Sequence, residues 1–325
     1  PFRKKIFRPQ GRGGEPPDGC GCSALRFVGY VRQSIHEREI NIFIMQTING
    51  KKFDEERSLY EINDATVTDC TFDGPADGES AFKEAGDVTV RRCTFRLRYP
   101  FWHTTNGSIS ECSMTEGCRA ALWYDRNITI NDCTMRGVKA LRESHDITLK
   151  NCDIVSPEFG WRCGNVNVCD TTLESEYPFF ESSNITLEKF TLKGKYSFQY
   201  VTDSVIRDSV LNTKDAFWHS KNVTVYDSTI NGEYLGWYSE NLRLVRCRIS
   251  GTQPLCYCKG LVLEDCTMEN ADLSFEYSDV NADIRGSVLS VKNPHSGRIV
   301  ADSVGEIISG NSVMDNNCEI VIRKQ

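Results

Sequence analysis

The sequence predicts an all-β fold: a single right-handed parallel β-helix, a solenoid of about eleven or twelve coils of 19 residues. Three observations predict it. Segments opening at Asp87, Asn106, Asn127, Asp146, Asn165, Asn184, Asp203, Asn222, Asn241, Gly260 and Asp279 follow one another at intervals of 19 residues, with a single interval of 21. Within them apolar and polar residues alternate with the two-residue period of a strand. Turn-forming residues recur at fixed offsets between the alternating runs.

Each unit reads Asn or Asp, apolar, Thr-like, apolar, two polar residues, Cys or a small residue, Thr-like, apolar. Asn127-Ile128-Thr129-Ile130-Asn131-Asp132-Cys133-Thr134-Met135 and Asp146-Ile147-Thr148-Leu149-Lys150-Asn151-Cys152-Asp153-Ile154 show it. The opening Asn or Asp suits a turn, because its side chain bonds nearby backbone. The polar pair separates a first strand from a second. Gly137, Gly194, Gly232 and Gly251 stand ten residues after their openers and mark the next turn. A third strand closes the coil. Stacked coils then form apolar ladders, among them Ile130, Leu149, Val168 and Leu187 on the first strand and Met135, Ile154, Leu173 and Leu192 on the second. Parallel crossovers within one sheet are overwhelmingly right-handed, and 19 is not a multiple of the six-residue repeat of left-handed β-helices.

The solenoid is expected over residues 45–325, with an N-terminal cap over about 45–86 and a C-terminal cap over about 298–325. Residues 1–44 differ in character. They carry eight Lys or Arg against four Asp or Glu, and Gly11 to Gly19 has linker composition. With Met45 the first methionine, this segment is expected to be a non-native or disordered extension. Repeat units of this kind, with Phe101-Trp102-His103 and Leu122-Trp123-Tyr124 between them, resemble a bacterial family known as domain of unknown function 3737. The resemblance spans about residues 46–325. It implies a right-handed parallel β-helix and brings no catalytic residues with it.

The net charge of −7 argues against nucleic acid as a partner, which needs clustered cations. No apolar run reaches the roughly 20 residues of a membrane span, and no cofactor motif is present. Many of the fifteen cysteines fall on one repeat position: Cys70, Cys93, Cys112, Cys133, Cys152, Cys247 and Cys266. Thr171, Phe190, Ser209 and Ser228 share that slot, so it reads as a core filler and not as a set of disulfides or metal ligands. No metal site is expected, since Cys163, Cys169, Cys256 and Cys258 lack zinc-site pairing. Free thiols favour a reducing, cytoplasmic compartment.

The third strand carries the candidate site. All five tryptophans, Trp102, Trp123, Trp161, Trp218 and Trp237, stand four residues before a unit opener. The next position reads His103, Tyr124, Glu143, Arg162, Glu181, Tyr200, His219, Tyr238, Tyr257 and Glu276. Strand alternation sends neighbours to opposite sides. A column of charges cannot be buried without large cost. The polar column is therefore expected outside, with the tryptophans packed at least in part inside. Tyr124, Glu143, Arg162, Glu181, Tyr200, His219 and Tyr238 are the expected ligand-binding residues, on the ground that aromatic faces stack on sugar rings while charged groups bond hydroxyls. Glu143 and Glu181, two coils or about 10 Å apart by backbone, stand near the separation of an inverting carboxylate pair. With Arg162 between them they are the only candidates for catalysis, and the same arginine also fits a plain salt-bridge ladder. The functional expectation is oligosaccharide binding or processing on this face. The alternative is a non-enzymatic scaffold with a protein partner, favoured by the absence of long inserted loops.

Overall fold

Alternation with a strict 19-residue return gives stacked parallel strands and no helix among the described residues, which in this computed structural model are 45–74 and 79–324. The extension expected over residues 1–44 lies outside them. In each regular coil the first strand is six residues long. Arg126–Asn131 pairs in parallel with His145–Lys150, that strand with Gly164–Cys169, and that with Ser183–Glu188. Ile130 faces Leu149 and Leu149 faces Val168, one rung per coil. The second strand follows after the polar pair, as Thr134–Met135, Asp153–Val155 and Thr172–Ser175.

The solenoid has about 14 turns, more than the eleven or twelve the repeat predicts. The added turns lie at its ends, where the register departs from 19. Gln46–Asn49 pairs with Asn63–Thr68, and Ala65 meets Val88 after 23 residues. Asp279–Lys292 meets Ser296–Ile308 after 17, and that strand meets Glu319–Ile322 after 21. The segments expected as caps thus contain strands in register with their neighbours.

Each corner of the coil is turned by a residue in the left-handed backbone region. Between residues 127 and 145 these are Asn127 (φ 54°), Asp132 (55°), Lys139 (60°) and Glu143 (49°). Asn and Asp tolerate that region best among residues with a side chain, which explains the opener and the polar pair. The opener amides also bond along the stack: Asn127 Nδ2 donates to Asn106 Oδ1 (2.8 Å), Asn184 to Asn165 (2.6 Å) and Asn241 to Asn222 (3.0 Å).

The apolar ladders fill the interior, with Ile130, Leu149, Met135 and Leu192 fully buried. The cysteine slot does more than fill it. Cys112 N–H donates to Cys133 Sγ (3.3 Å), Cys152 N–H to Thr171 Oγ1 (3.2 Å), and Ser209 N–H to Ser228 Oγ (3.0 Å). The thiol or hydroxyl of one coil therefore satisfies a buried backbone donor of the coil before it, a group that is costly to leave unpaired. Every described cysteine is a free thiol. Cys133→Ser is expected to change stability by less than about 1 kcal/mol, because serine keeps the acceptor. Cys133→Val, of similar shape, strands the Cys112 N–H and is expected to cost about 1–3 kcal/mol. Urea denaturation of the two variants checks this, and equal stability would refute the capping role.

Candidate functional site

The third side of the coil is less regular than a strand. Two-residue strands Phe101–Trp102, Leu122–Trp123 and Leu141–Arg142 pair with one another, as do Glu158–Phe159 and Tyr177–Pro178. In the later coils turns take their place. The candidate residues stand just after this element, at a corner: Tyr124 (φ 60°), Glu143 (49°), Arg162 (53°), Glu181 (54°), Tyr200 (58°), His219 (54°) and Tyr238 (59°). Left-handed backbone is unfavourable for such bulky residues. It recurs at every corner of the solenoid, so it belongs to the scaffold and does not single out this row. The corner is held by N–H groups bonding to the next coil, as from Glu143 to Trp161 O (2.8 Å) and from Tyr200 to Trp218 O (2.9 Å).

That backbone corrects the expected direction of the tryptophans. Alternation fails where the chain turns, and the sequence Phe101, Trp102, His103, Thr104 runs buried, half-buried, exposed, buried. The core is filled by the preceding position, Phe101, Leu122, Leu141, Phe179, Phe198 and Phe217. The tryptophans lie half-exposed beside the candidate row. Trp102 stacks on Trp123 with centroids 5.5 Å apart, and Trp218 on Trp237 at 5.4 Å. The indole N–H groups of Trp161, Trp218 and Trp237 donate to the carbonyls of Tyr177, Tyr234 and Gln253.

The candidate row divides into three stretches. At its start His103 and Tyr124 meet edge to face at 5.2 Å, with His103 Nδ1 3.2 Å from Glu84. The middle is charged. Arg162 Nε bonds Glu181 Oε2 at 2.7 Å. Glu143 makes no ion pair with Arg162; it accepts from Arg142 Nε at 2.9 Å and is bonded by the Tyr124 hydroxyl. That hydroxyl first, and Arg142 after it, hold the Glu143 carboxyl below its ordinary range. Arg162 therefore ties down one of the two glutamates and not both. The last stretch is a continuous pile of rings. Tyr200 stacks on His219 (5.0 Å), His219 on Tyr238 (5.1 Å) and Tyr238 on Tyr257 (4.7 Å), and Tyr277 follows at 5.4 Å, tilted by 45°. Tyr124, Tyr200 and Tyr238 are each more than two-fifths exposed.

Tyr277, and not Glu276, takes the slot after Tyr257. Tyr257 N–H donates to Glu276 O, where the coils before it donate to the residue just ahead of the row. One extra residue at this corner shifts the row, and a fixed interval of 19 could not reveal it.

Sequence reasoning also missed the buried position behind the row: Thr104, Asp125, Ser144, Cys163, Ser182, Ser220, Ser239 and Cys258. Its mostly small, hydroxyl- or thiol-bearing composition, broken by Val201, was a readable signal. Three of these side chains cap the N–H of the coil before them: Asp125 Oδ1 accepts from Thr104 (2.7 Å), Ser144 Oγ from Asp125 (3.1 Å) and Ser182 Oγ from Cys163 (3.0 Å). Asp125 is fully buried beneath Tyr124. Burial pushes its carboxyl well above the ordinary range, and its Oδ2 has no hydrogen-bond partner among the described residues.

A carboxyl whose pKa is raised on folding binds more protons in the folded chain than in the unfolded one. Its contribution is most favourable below the unfolded pKa of about 3.9 and is lost as pH rises toward the folded value. Asp125→Asn keeps the acceptor for Thr104 without the ionisable group. It is expected to be more stable than the parent at pH 7, on the order of 1–3 kcal/mol, with the gap closing toward pH 4. Urea denaturation across that range checks it; parallel pH profiles for the two proteins would refute it.

Among the described residues no group of three or more His, Cys, Asp or Glu side chains is placed to hold a metal ion. Nor is any helix there long and apolar enough to cross a membrane.

A family model described as a protein of unknown function, DUF3737, matches residues 46–321. No curated protein matches the chain. Among solved structures, similarity is found to HetL, a pentapeptide repeat protein involved in heterocyst differentiation regulation from the cyanobacterium Nostoc sp. strain PCC 7120. That match has 11% identity and a TM-score of 0.27, covering 69% of this chain and 92% of that one. PfbA, a surface adhesin of Streptococcus pneumoniae, matches at 12% identity and a TM-score of 0.29, covering 72% and 70%. The A-module of the mannuronan C-5 epimerase AlgE4 of Azotobacter vinelandii matches at 10% and 0.28, covering 84% and 90%. Likeness this distant carries no functional weight for the chain.

Proposed function

The chain belongs to DUF3737, a family of unknown function, and we propose that it binds an oligosaccharide along the corner row from Tyr124 to Tyr238 and onward to Tyr277. The observation that carries this reading is the pile of rings from Tyr200 to Tyr277, exposed at Tyr200, His219 and Tyr238 and half-buried at Tyr257 and Tyr277, with the half-exposed tryptophans beside it. Rungs repeat at about the strand spacing of 4.8 Å, a rise comparable with one sugar ring. Tyrosine supplies rigid apolar area together with a hydroxyl. The charged middle, Glu143, Arg162 and Glu181 with Arg142, supplies directional bonds to sugar hydroxyls.

Binding fits the row better than hydrolysis. A general acid needs a raised pKa, and Glu143 is held low. A protein partner is the second reading, since Tyr, Trp and Arg also dominate protein interface hot spots. The test is titration of the full chain with a panel of neutral and acidic oligosaccharides, followed by tryptophan fluorescence, because Trp218 and Trp237 adjoin the row. A saturable change with at least one sugar is expected. A silent panel would remove the carbohydrate reading and leave the protein partner.

A further inference from the structure

We infer that the cavity at the C-terminal end of the row is a subsite for an acidic sugar, a ring bearing a carboxylate. This rests on the oligosaccharide reading and gives it a substrate class. The cavity measures about 510 Å³, within the range of small-ligand pockets. Its walls include Tyr238, Tyr257 and Tyr277, the last rings of the pile, together with Lys259, His295 and Met314. It lies where the row ends and the chain folds back: Val313 N–H donates to the Tyr277 hydroxyl (3.4 Å). A sugar laid along the row would thus end in an open recess.

The charges around the cavity indicate the ligand's sign. Its one carboxylate, Asp279, is turned toward neighbouring backbone and hydroxyl donors: Oδ2 accepts from Gly260 N–H (3.1 Å) and Oδ1 from the Ser296 hydroxyl (3.0 Å). Two nearby acids have cations of their own, Glu240 with Lys221 (3.1 Å) and Glu276 with Lys292 (2.9 Å). Lys259 makes no ion pair among the described residues, so its ammonium is the one cation in the wall that a ligand carboxylate can meet. The His295 ring places Nδ1 2.9 Å from the Asp315 carbonyl, to which it donates. Nε2 has no hydrogen-bond partner among the described residues and is left for a ligand hydroxyl. The site thus offers a ring platform for the sugar face, a cation for its carboxylate and an imidazole nitrogen for a hydroxyl. A neutral sugar would leave the cation unused.

The test uses the full chain and two probes, a uronic-acid trisaccharide and the same trisaccharide with its carboxylates reduced to alcohols. Calorimetric titration is expected to show the acidic probe binding at least tenfold tighter. Lys259→Met should make the two affinities equal, and Lys259→Glu should invert the preference. Both substitutions are at an exposed side chain, and matching thermal melts establish that the variants are folded. Tyr200→Ala, on the row but outside the cavity, should weaken both probes by the same factor. Equal binding of the two probes to the parent, or a preference that survives Lys259→Met, overturns the acidic subsite while leaving the oligosaccharide reading intact. Failure of both probes to bind overturns the subsite and counts against the wider reading.

Discussion

Ile130→Asp is expected to unfold the central coils, with a loss of at least about 4–5 kcal/mol. Ile130 is completely buried and lies in register between Ile109 and Leu149. The substitution removes an apolar side chain whose burial contributes about 1.5–3 kcal/mol and leaves a carboxylate with no cation in the core, which costs several more. In a solenoid each coil is stabilised by its two neighbours, so a lesion in the middle also detaches the coils on either side. Ile130→Val, which removes one methylene, should cost only about 0.5–1.5 kcal/mol. Thr148→Asp, one coil on at an exposed outward position, should lie within about 0.5 kcal/mol of the parent. Guanidinium denaturation of the three variants checks the ordering. An Ile130→Asp protein that melts with the parent would mean that the ladder does not form the core.

Tyr238→Ala is expected to have the largest effect of any single change on oligosaccharide binding, at least tenfold, or about 1.4 kcal/mol. Its ring lies between His219 and Tyr257, at 5.1 and 4.7 Å, so its loss opens a gap in the pile and leaves two shorter platforms. Stability should fall only by the value of an exposed ring pair, about 0.5–1.5 kcal/mol. Tyr238→Phe, which keeps the ring, should retain most of the affinity. Titration of the three proteins with whichever sugar binds the parent best measures this. If alanine binds as tightly as tyrosine, the rings are not the contact surface.

The scaffold was legible because its rule is written at every rung. Val88, Ile128, Ile147 and Val166 recur at one offset with threonines between them, and only an in-register stack makes sense of that. The turns at either end were not legible. Glu319–Ile322 joins the sheet at an interval of 21, Gln46–Asn49 is cut off from the regular coils by the 23-residue step from Ala65 to Val88, and neither strand opens on Asn or Asp. The composition of the candidate row was legible too, since charges at Glu143, Arg162 and Glu181 could not be interior. The tryptophan direction was not, because alternation assumes extended backbone and the row takes left-handed φ. The division of the row into a paired, charged middle and a bare aromatic end depends on side-chain rotamers. Arg142, next to Glu143 in sequence, bonds it in place of Arg162, and no spacing rule encodes that choice.

The most direct test of the central claim is to locate the bound sugar. Tyrosine and histidine ring resonances of the full chain, selectively labelled and assigned by substitution, can be followed by NMR during titration with the sugar that binds best. Shifts confined to Tyr200, His219, Tyr238, Tyr257 and Tyr277, saturating together, are the expected result. A sugar that saturates the chain while those rings stay unmoved, with Tyr60 or Tyr226 shifting in their place, would contradict it.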